Sequence, residues 1–309
     1  MEHKSVLLEE AVEALSVRRE GIYVDATFGR GGHSMEILER LGQNGRLLVI
    51  DKDPEAIQAA HLLAQQDKRV TVIHNSFKAL AGELAQQGIK RIDGIIFDFG
   101  VATPQLEEPS RGFSFQWNGP LDMRMDNTQG PTAAEWLHQA SHEELSRVIK
   151  EYGEERFAKP IARAIVEYQK KKKLETTQEL TEIIARVVRF RERGQHPATR
   201  TFQAIRIHIN GELDDIRAVL PDALELLADG GRLVTIAFHS LEDRIVKQFI
   251  QQYSSKPLLP KWVMLREEGE VMLPLIKLGK PMRPTLTEIR RNPRSRSAIM
   301  RVAVRRRSD

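Results

Sequence analysis

The sequence of 309 residues contains no cysteine and no long apolar run. Disulfide bonds, thiolate metal sites and cysteine nucleophiles are therefore excluded. No apolar segment approaches the roughly 18 residues of a membrane-spanning helix, and the N-terminal residues lack the apolar stretch of a signal peptide. No group of His, Asp and Glu has metal-ligand spacing, so we expect no catalytic metal. These absences favour a cytoplasmic globular protein without a membrane partner.

A glycine-rich segment is the most informative feature that is present. An apolar run at 22–24 leads into Asp25-Ala26-Thr27-Phe28-Gly29-Arg30-Gly31-Gly32-His33-Ser34, and a second run at 47–50 ends in Asp51. The order is a strand, a glycine turn, a helix, and a strand that ends in an acid. Glycines let the backbone approach a nucleotide closely, and the acid can accept hydrogen bonds from ribose hydroxyls. The segment predicts a site for an adenosine-containing cofactor.

Strands and helices alternate along the first hundred residues. We predict strands at 22–26, 46–50, 70–73 and 93–98, with helices between them at 34–41, 54–65 and 77–87. This alternation predicts an α/β fold, a doubly wound Rossmann-like sheet with helices on both faces. It resumes late in the chain, with a helix from Leu213 that Asp229-Gly230-Gly231 stops, a strand at 232–238, a helix capped by Ser240 with Asp243, and a strand at 298–304.

The middle of the chain shows no alternation of strands and helices. Residues 101–130 are loop-like, and capping-box pairs then predict helix starts at Thr132 with Glu135, Ser141 with Glu144, and Thr176 with Glu179. The simplest architecture is one α/β domain, residues 1–104 and 206–309, interrupted by an inserted helical domain at 105–205.

The ends of the first four predicted strands narrow the choice of cofactor. The loop lacks the third glycine of the G-x-G-x-x-G fingerprint that an NAD-type dehydrogenase would show. Asp25 and Asp51 end strands one and two, Asn75-Ser76-Phe77 follows strand three, and Asp98 ends strand four. Ligands of open α/β sheets bind outside the carboxyl ends of the strands. Polar chemistry at four successive strand ends favours the layout of S-adenosylmethionine-dependent methyltransferases.

Short segments in order along nearly the whole chain make a more specific comparison possible. They read HKSVLL at 3–8, TFGRGGHS at 27–34, DKDP at 51–54, PQL at 104–106, RGFSF at 111–115, GPLDMRMD at 119–126, YGEE at 152–155, HPATRTFQA at 196–204, FHSLEDR at 238–244 and NPR at 292–294. With these segments the chain resembles the bacterial 16S ribosomal RNA cytosine-N4 methyltransferase family.

The resemblance implies a cofactor, a substrate and a set of contacts. The cofactor would be S-adenosyl-L-methionine, and the substrate one cytidine in the decoding centre of the small ribosomal subunit. A helical insertion would help to recognise the 16S rRNA, and the chain would form homodimers. The positions that match the family's cofactor contacts are Gly31, Gly32, His33, Asp51, Phe77, Asp98 and Gln105.

Three positions depart from the family's pattern. Phe99 stands where the family usually has Leu, which alters packing, and Ala102 removes a hydroxyl, which puts any role of that hydroxyl in doubt. Ala26 replaces a frequent glycine, so the backbone there must avoid left-handed angles.

Two residues are candidates for catalysis. The exocyclic amine of cytosine has a lone pair delocalised into the ring, and an acceptor beside it would help to pyramidalise the nitrogen and take its proton. Asp98 is our candidate, although it could equally bind the amino-acid moiety of the cofactor or cap a turn. His239 follows the fifth predicted strand and could face the substrate, with a purely structural role as its alternative.

Cationic and aromatic residues are candidates for contact with RNA. Arginines bind phosphate through a planar fork, and the candidates are Arg111, Arg124, Arg200, Arg305, Arg306 and Arg307. Asp122 and Asp126 could instead simply pair with Arg124. A flipped base could stack on Phe113, Phe115 or Trp117, which could also form the insertion's own core.

Two other functions stay open at the level of sequence. One is a nucleotide-dependent oxidoreductase of the NAD type, and the other is a non-catalytic ribosome assembly factor that keeps a vestigial pocket.

Overall fold

A computed structural model describes residues 5–188, 196–255 and 272–307. The chain divides into two compact units, residues 1–100 with 213–309, and residues 101–212. We call them the cofactor unit and the insertion. Of the segments that carry the family resemblance, His3 and Lys4 lie outside the described residues, as do residues 189–195 of the predicted insertion. In the described part of the chain, no helix is long and apolar enough to cross a membrane.

The cofactor unit is built on a mixed sheet. Its strands in the described residues are β1 (Ile22–Asp25), β2 (Arg46–Asp51), β3 (Val70–His74), β4 (Ile92–Asp98), β5 (Leu227–Ala237), β6 (Leu275–Met282) and β7 (Ile299–Arg305). Their order across the sheet is β3-β2-β1-β4-β5-β7-β6. β1 to β5 pair in parallel, whereas β7 is antiparallel to both β5 and β6. The strand order reverses between β1 and β4, which is where an open sheet of this kind binds its ligand.

Helices cover both faces of this sheet. They are α1 (Leu8–Leu15), α2 (Gly32–Arg40), α3 (Pro54–Gln66), α4 (Leu80–Gln86), α11 (Glu212–Leu226), α12 (Ser240–Ser254) and α13 (Leu286–Arg291). Successive strand residues point to opposite faces, and the core divides accordingly. Leu48 and Ile50 pack with α4, α11 and α12, whereas Leu47 and Val49 pack with α1, α2 and α3.

The insertion is helical in its described residues. It contains α5 (Thr103–Glu107), α6 (Ala133–Gln139), α7 (His142–Gly153), α8 (Ala158–Gln169), α9 (Thr177–Val187) and α10 (Thr199–Asn210). The Thr132–Glu135 and Thr176–Glu179 capping boxes are confirmed, and Ser141 accepts a hydrogen bond from the Glu144 amide. These helices enclose a separate apolar core around Leu145, Ile149 and Ile161.

The boundaries of the two units differ from those predicted from sequence. The predicted insertion ran from 105 to 205, and the structural division falls after Gly100 and after Glu212. The difference arises because α5 begins before residue 105 and α10 continues beyond residue 205, packing against α7.

Several local predictions were wrong. Asp229, Gly230 and Gly231 do not stop a helix, because α11 ends at Leu226 and the three residues lie inside β5, where its pairing with β4 shifts register. Ser240 does not cap α12, since His239 holds the N-cap position and pairs with Glu242. The start of α1 was not predicted, because its N-cap residue, Leu7, has no side-chain hydrogen bond.

Candidate active site

The glycine loop brings backbone amides to the carboxyl end of β1. Gly31 has a φ of 77° and forms the N-cap of α2, and a Cβ there would lie 2.7 Å from the Phe28 ring. A Cβ on Gly32 would overlap the hydroxyl of Ser5. Both positions therefore need glycine, and the start of α2 presents N–H groups without a side chain in front of them.

Two aspartates hold this loop in place. The Asp51 carboxylate accepts hydrogen bonds from the amides of Gly29, at 2.8 Å, and Asp53, at 2.9 Å. Asp25 accepts a hydrogen bond from the Ser34 hydroxyl at 2.7 Å and is almost completely buried. Burial raises the pKa of each carboxyl to about 6, although the hydrogen bonds lower it. The loop is thus tied to the ends of both β1 and β2.

Asp98 is the acid at the end of β4. Its amide donates to the Thr27 hydroxyl at 2.7 Å, which fixes the end of β4 beside the glycine loop. Within the described residues, its buried Oδ1 has no hydrogen-bond partner. Burial raises the pKa of Asp98 well above its usual value, and the charges of Asp25 and Glu242 add to that shift. Such an atom is prepared to receive a donor or a cation.

His33 lies close to Asp98. Its Nδ1 lies 3.9 Å from Asp98 Oδ2, and its Nε2 lies 3.2 Å from the carbonyl oxygen of Val6. Burial lowers the pKa of His33 to about 4. The ring is therefore neutral near pH 7, and the Val6 carbonyl favours the tautomer with the proton on Nε2. The lone pair of Nδ1 then faces Asp98.

The strand-three end is held by contacts that sequence reasoning missed. The Ser76 hydroxyl donates to Asp215 of α11 at 2.8 Å, and Lys52 and Lys78 lie 3.8 and 3.5 Å from the same carboxylate. Asp215 comes from a remote part of the chain, so no local spacing could have revealed it.

Phe77 lies directly after this anchor. Its ring packs edge-on against Phe97 and Phe99, with centroids 5.7 and 5.9 Å away. Phe99, a departure from the family pattern, also stacks on Phe97 at 5.5 Å. The departure therefore extends an aromatic cluster behind Phe77, and it explains how the position of that ring is fixed.

His239 has a structural task in the folded chain. Its Nδ1 accepts from the Glu242 amide at 3.4 Å, and its Nε2 lies 3.1 Å from Glu242 Oε1. Glu242 is fully buried, and its other oxygen accepts from the Phe238 amide at 2.8 Å. His239 thus caps α12. Glu242 is a site residue that the sequence analysis missed, although its spacing from His239 is that of a capping box.

Gln105 belongs to the insertion. Its Oε1 accepts a hydrogen bond from the Ala102 amide at 3.0 Å, and its side chain is buried. Ala102 has no hydroxyl with which to cap α5. The hydrogen bond from its amide to Gln105 is therefore one of the two that a capping box contains. As a cofactor contact, Gln105 stays a prediction.

Four of the six arginines predicted to bind RNA are committed to the protein itself. Arg111 is buried and donates to the carbonyl oxygens of Arg124 and Met125. Arg124 forms a bidentate pair with Asp122, at 2.8 and 2.7 Å. The prediction of surface phosphate contacts was wrong for Arg111, because its guanidinium holds a loop, and Asp122 already neutralises Arg124.

The C-terminal arginines divide in the same way. Arg305 donates to the carbonyl oxygens of Leu224 and Glu225, in the last turn of α11. Arg306 donates to the carbonyl of Leu273 at 2.9 Å. Each arginine therefore ties β7 to a neighbouring segment, and RNA contact by Arg305 and Arg306 stays a prediction. Arg307 is exposed and Arg200 is half-buried, and RNA contact by these two stays a prediction.

Comparison with known proteins identifies the family of this chain. A sequence profile of the MraW methylase family matches residues 1–306. The chain belongs to the MraW methylase family. A relative from Neisseria meningitidis, named ribosomal RNA small subunit methyltransferase H, is 55% identical over 98% of this chain and 92% of its own length. A relative of the same name from Chromobacterium violaceum is 54% identical over 98% of this chain and 95% of its own.

A solved structure of an rRNA methylase from Streptococcus thermophilus is a more distant match. It aligns with 99% of this chain and 99% of its own at 10% identity and a TM-score of 0.44. Membership of the MraW methylase family makes the chain an S-adenosylmethionine-dependent methyltransferase. The oxidoreductase and the non-catalytic assembly factor that the sequence left open are without support.

The residues of the cofactor unit fit this cofactor. S-adenosylmethionine carries a sulfonium and an ammonium group, and the site offers Asp25, Asp51 and Asp98 with no Lys or Arg of the described residues paired to them. A pyrophosphate-bearing dinucleotide would meet like charge here, whereas a cation would favour the ionised forms of Asp25, which is buried, and of Asp51 and Asp98, which are half-buried.

Proposed function

We propose that this enzyme methylates the exocyclic N4 amine of one cytidine in the decoding centre of small-subunit ribosomal RNA. The names of the relatives specify ribosomal RNA of the small subunit. The family resemblance implies which cytidine is methylated. The observation that carries the proposal is Asp98, a carboxylate at the switch point of the sheet with a buried Oδ1 that has no partner among the described residues.

The chemistry asks for an acceptor at this point. When bound, S-adenosylmethionine supplies an electrophilic methyl group on a sulfonium centre. Asp98 would accept a hydrogen bond from the cytosine amine, draw its lone pair out of the ring and take up the proton that the nitrogen loses.

The cofactor would be held by the groups around Asp98. Asp51 would accept hydrogen bonds from the ribose hydroxyls, and Phe77 would pack against the adenine. The amides at the start of α2 would receive the cofactor's carboxylate, since helix N-termini bind anions. In this proposal the residues at or just after the ends of β1, β2 and β3 each bind a different part of the cofactor.

Of the three aromatic residues predicted to stack on a base, Trp117 is the exposed one. Phe113 is buried, and Phe115 stacks on His196 at 4.6 Å and packs edge-on against Phe202, so both belong to the insertion's core. Trp117 is 58% exposed. Its carbonyl accepts a hydrogen bond from Thr177 at 2.8 Å, which anchors its backbone. Trp117 is therefore our candidate for stacking on a base.

A nucleoside analysis tests the proposal. Small ribosomal subunits from cells without this enzyme are incubated with it and labelled cofactor, and the RNA nucleosides are separated by mass spectrometry. We expect N4-methylcytidine from one position of the RNA. Label in another nucleoside, or no label in RNA, would overturn the proposal. The homodimer that the resemblance implies stays a prediction, which sedimentation of the free enzyme tests.

A further inference from the structure

A cationic pocket lies on the cofactor unit away from the strand-end carboxylates. It encloses about 300 Å³ between the second half of α12 and the two antiparallel strands. We call it the lysine pocket. Its charged and polar lining residues are Lys247, Gln251, Ser254, Ser255, Lys277, Lys280 and Arg301. None of the described residues that line it carries a carboxylate.

The positive charge of the lysine pocket is largely uncompensated. Arg301 is neutralised by a bidentate pair with Asp243, at 2.7 and 2.9 Å. Lys247, Lys277 and Lys280 are exposed, and no acid of the described residues pairs with them. Three ammonium groups, with hydroxyl and amide donors between them, make a set that suits phosphate oxygens.

The backbone of β6 presents one of these lysines. Between its pairings with β7, β6 advances from Leu278 to Met282 while β7 advances only from Val302 to Met300. The extra residues form a bulge that includes Gly279, at a φ of 63°, and Lys280. Lysines and bulges protect edge strands from pairing with other chains, but that role does not account for Lys247, which lies on the facing helix two turns before its end.

The sheet register relates this pocket to Asp98. Its lining residues Leu278 and Val302 pair with each other, Val302 pairs with Val234, and Val234 pairs with Ile96, two residues before Asp98 on β4. Three strand spacings of about 4.8 Å separate β6 from β4, and two residues along a strand add about 7 Å, so the pocket lies roughly 16 Å from Asp98. An RNA strand that delivers a nucleotide to Asp98 can reach the lysine pocket with a neighbouring phosphate.

We propose that the lysine pocket binds a backbone phosphate of the substrate RNA, outside the nucleotide that is methylated. This inference rests on the proposed function, because it takes ribosomal RNA as the ligand. Phosphate contacts position an RNA without reading its sequence. The lysine pocket would thus set the register in which the target cytidine meets Asp98.

The test compares two pairs of lysines that carry the same charge. The pocket variant is Lys247→Gln with Lys280→Gln, and the control is Lys68→Gln with Lys90→Gln. Lys68 and Lys90 are exposed and lie just before the amino ends of β3 and β4. Binding of small-subunit RNA is measured against salt concentration, together with methyl transfer and cofactor affinity.

We expect the pocket variant to lower the slope of log affinity against log salt by about 1 to 2. The control should keep the wild-type slope, all variants should keep the wild-type cofactor affinity, and Lys247→Arg with Lys280→Arg should restore the slope. A pocket variant with the slope of the control would overturn the proposal. If wild-type enzyme forms no N4-methylcytidine in that RNA, the proposed function fails on that measurement, whatever the slopes.

Discussion

The acids of the insertion and those at the strand ends of the cofactor unit have opposite surroundings. In the insertion, Arg206 forms a bidentate pair with Glu212, both contacts at 2.8 Å. Burial opposes ionisation of Glu179, but hydrogen bonds from Lys172, two backbone amides and Tyr168 lower its pKa to about 2. These acids are compensated by partners within the same unit.

At the strand ends of the cofactor unit the pKa values move the other way. Asp25 and Asp51 have pKa values of about 6, and that of Asp98 is raised further from its usual range. A shift of about two units costs roughly 3 kcal/mol when a buried carboxyl such as Asp25 is ionised. The comparison supports the proposal that the acids without a cationic partner among the described residues form the cofactor site, where the ligand would bring the positive charge.

The largest effect is expected at Asp98. Asp98→Asn keeps the shape of the side chain but removes the acceptor of the amine proton. We expect methyl transfer at saturating cofactor to fall by about 10²- to 10⁴-fold. Single-turnover transfer of labelled methyl to small-subunit RNA measures it. The matched change in the insertion, Asp122→Asn, should leave that rate near wild type, and equal losses in both variants would break the comparison.

Asp51→Asn should separate affinity from stability. Loss of a charged acceptor should weaken cofactor binding by about 10- to 100-fold, which titration calorimetry measures. The folded pKa of Asp51 lies above its unfolded value, so its ionisation makes folding less favourable as pH rises from about 4 to 6. The variant should therefore be at least as stable as wild type at pH 8. Asp122→Asn should be less stable at the same pH, and the reverse order would contradict the account.

Trp117 tests whether the insertion meets RNA through an aromatic side chain. Trp117→Ala should weaken binding of small-subunit RNA by about 1–3 kcal/mol, the range for one stacked base. Trp117→Phe retains a ring and should recover most of that loss. Fluorescence anisotropy of labelled RNA measures both variants. Equal affinities of the wild type and the alanine variant would remove Trp117 from the interface.

The smallest effect is expected among the C-terminal arginines. Arg305→Gln removes donors to the last turn of α11 and should lower the free energy of unfolding by about 0.5–1.5 kcal/mol. It should leave the salt dependence of RNA binding unchanged. Arg307→Gln, at an exposed position, should not alter stability. Denaturant titration of both variants measures the free energy of unfolding. An altered salt dependence of RNA binding in Arg305→Gln would show that Arg305 contacts RNA.

Local chemistry made much of the cofactor unit predictable. β1 to β4 begin and end within about one residue of their predicted positions, because buried apolar runs and the polar residues after them define parallel strands. The same reasoning put Asp25, Asp51 and Asp98 at strand ends. It missed β6, whose side chains are mostly exposed at the edge of the sheet and include lysines, glycine and proline.

The partners of the arginines were not predictable in this way. Arg305 meets carbonyl groups about eighty positions away in the chain, and Ser76 meets an aspartate that is 139 positions away. An arginine in a basic tail looks available for phosphate until the fold supplies its acceptors. Charge composition therefore predicts the sign of the charge on a surface, but it does not predict which side chains are available to bind phosphate.

Proton release on cofactor binding tests the central claim most directly. Calorimetric titration of the free enzyme with S-adenosylmethionine at pH 6, in buffers of different ionisation enthalpy, gives the number of protons exchanged. A cation bound beside Asp25, Asp51 and Asp98 lowers their pKa values, so we predict release of protons, and less release from Asp98→Asn. Binding without proton release, or with proton uptake, would contradict the claim that these carboxylates are held uncompensated for the cofactor.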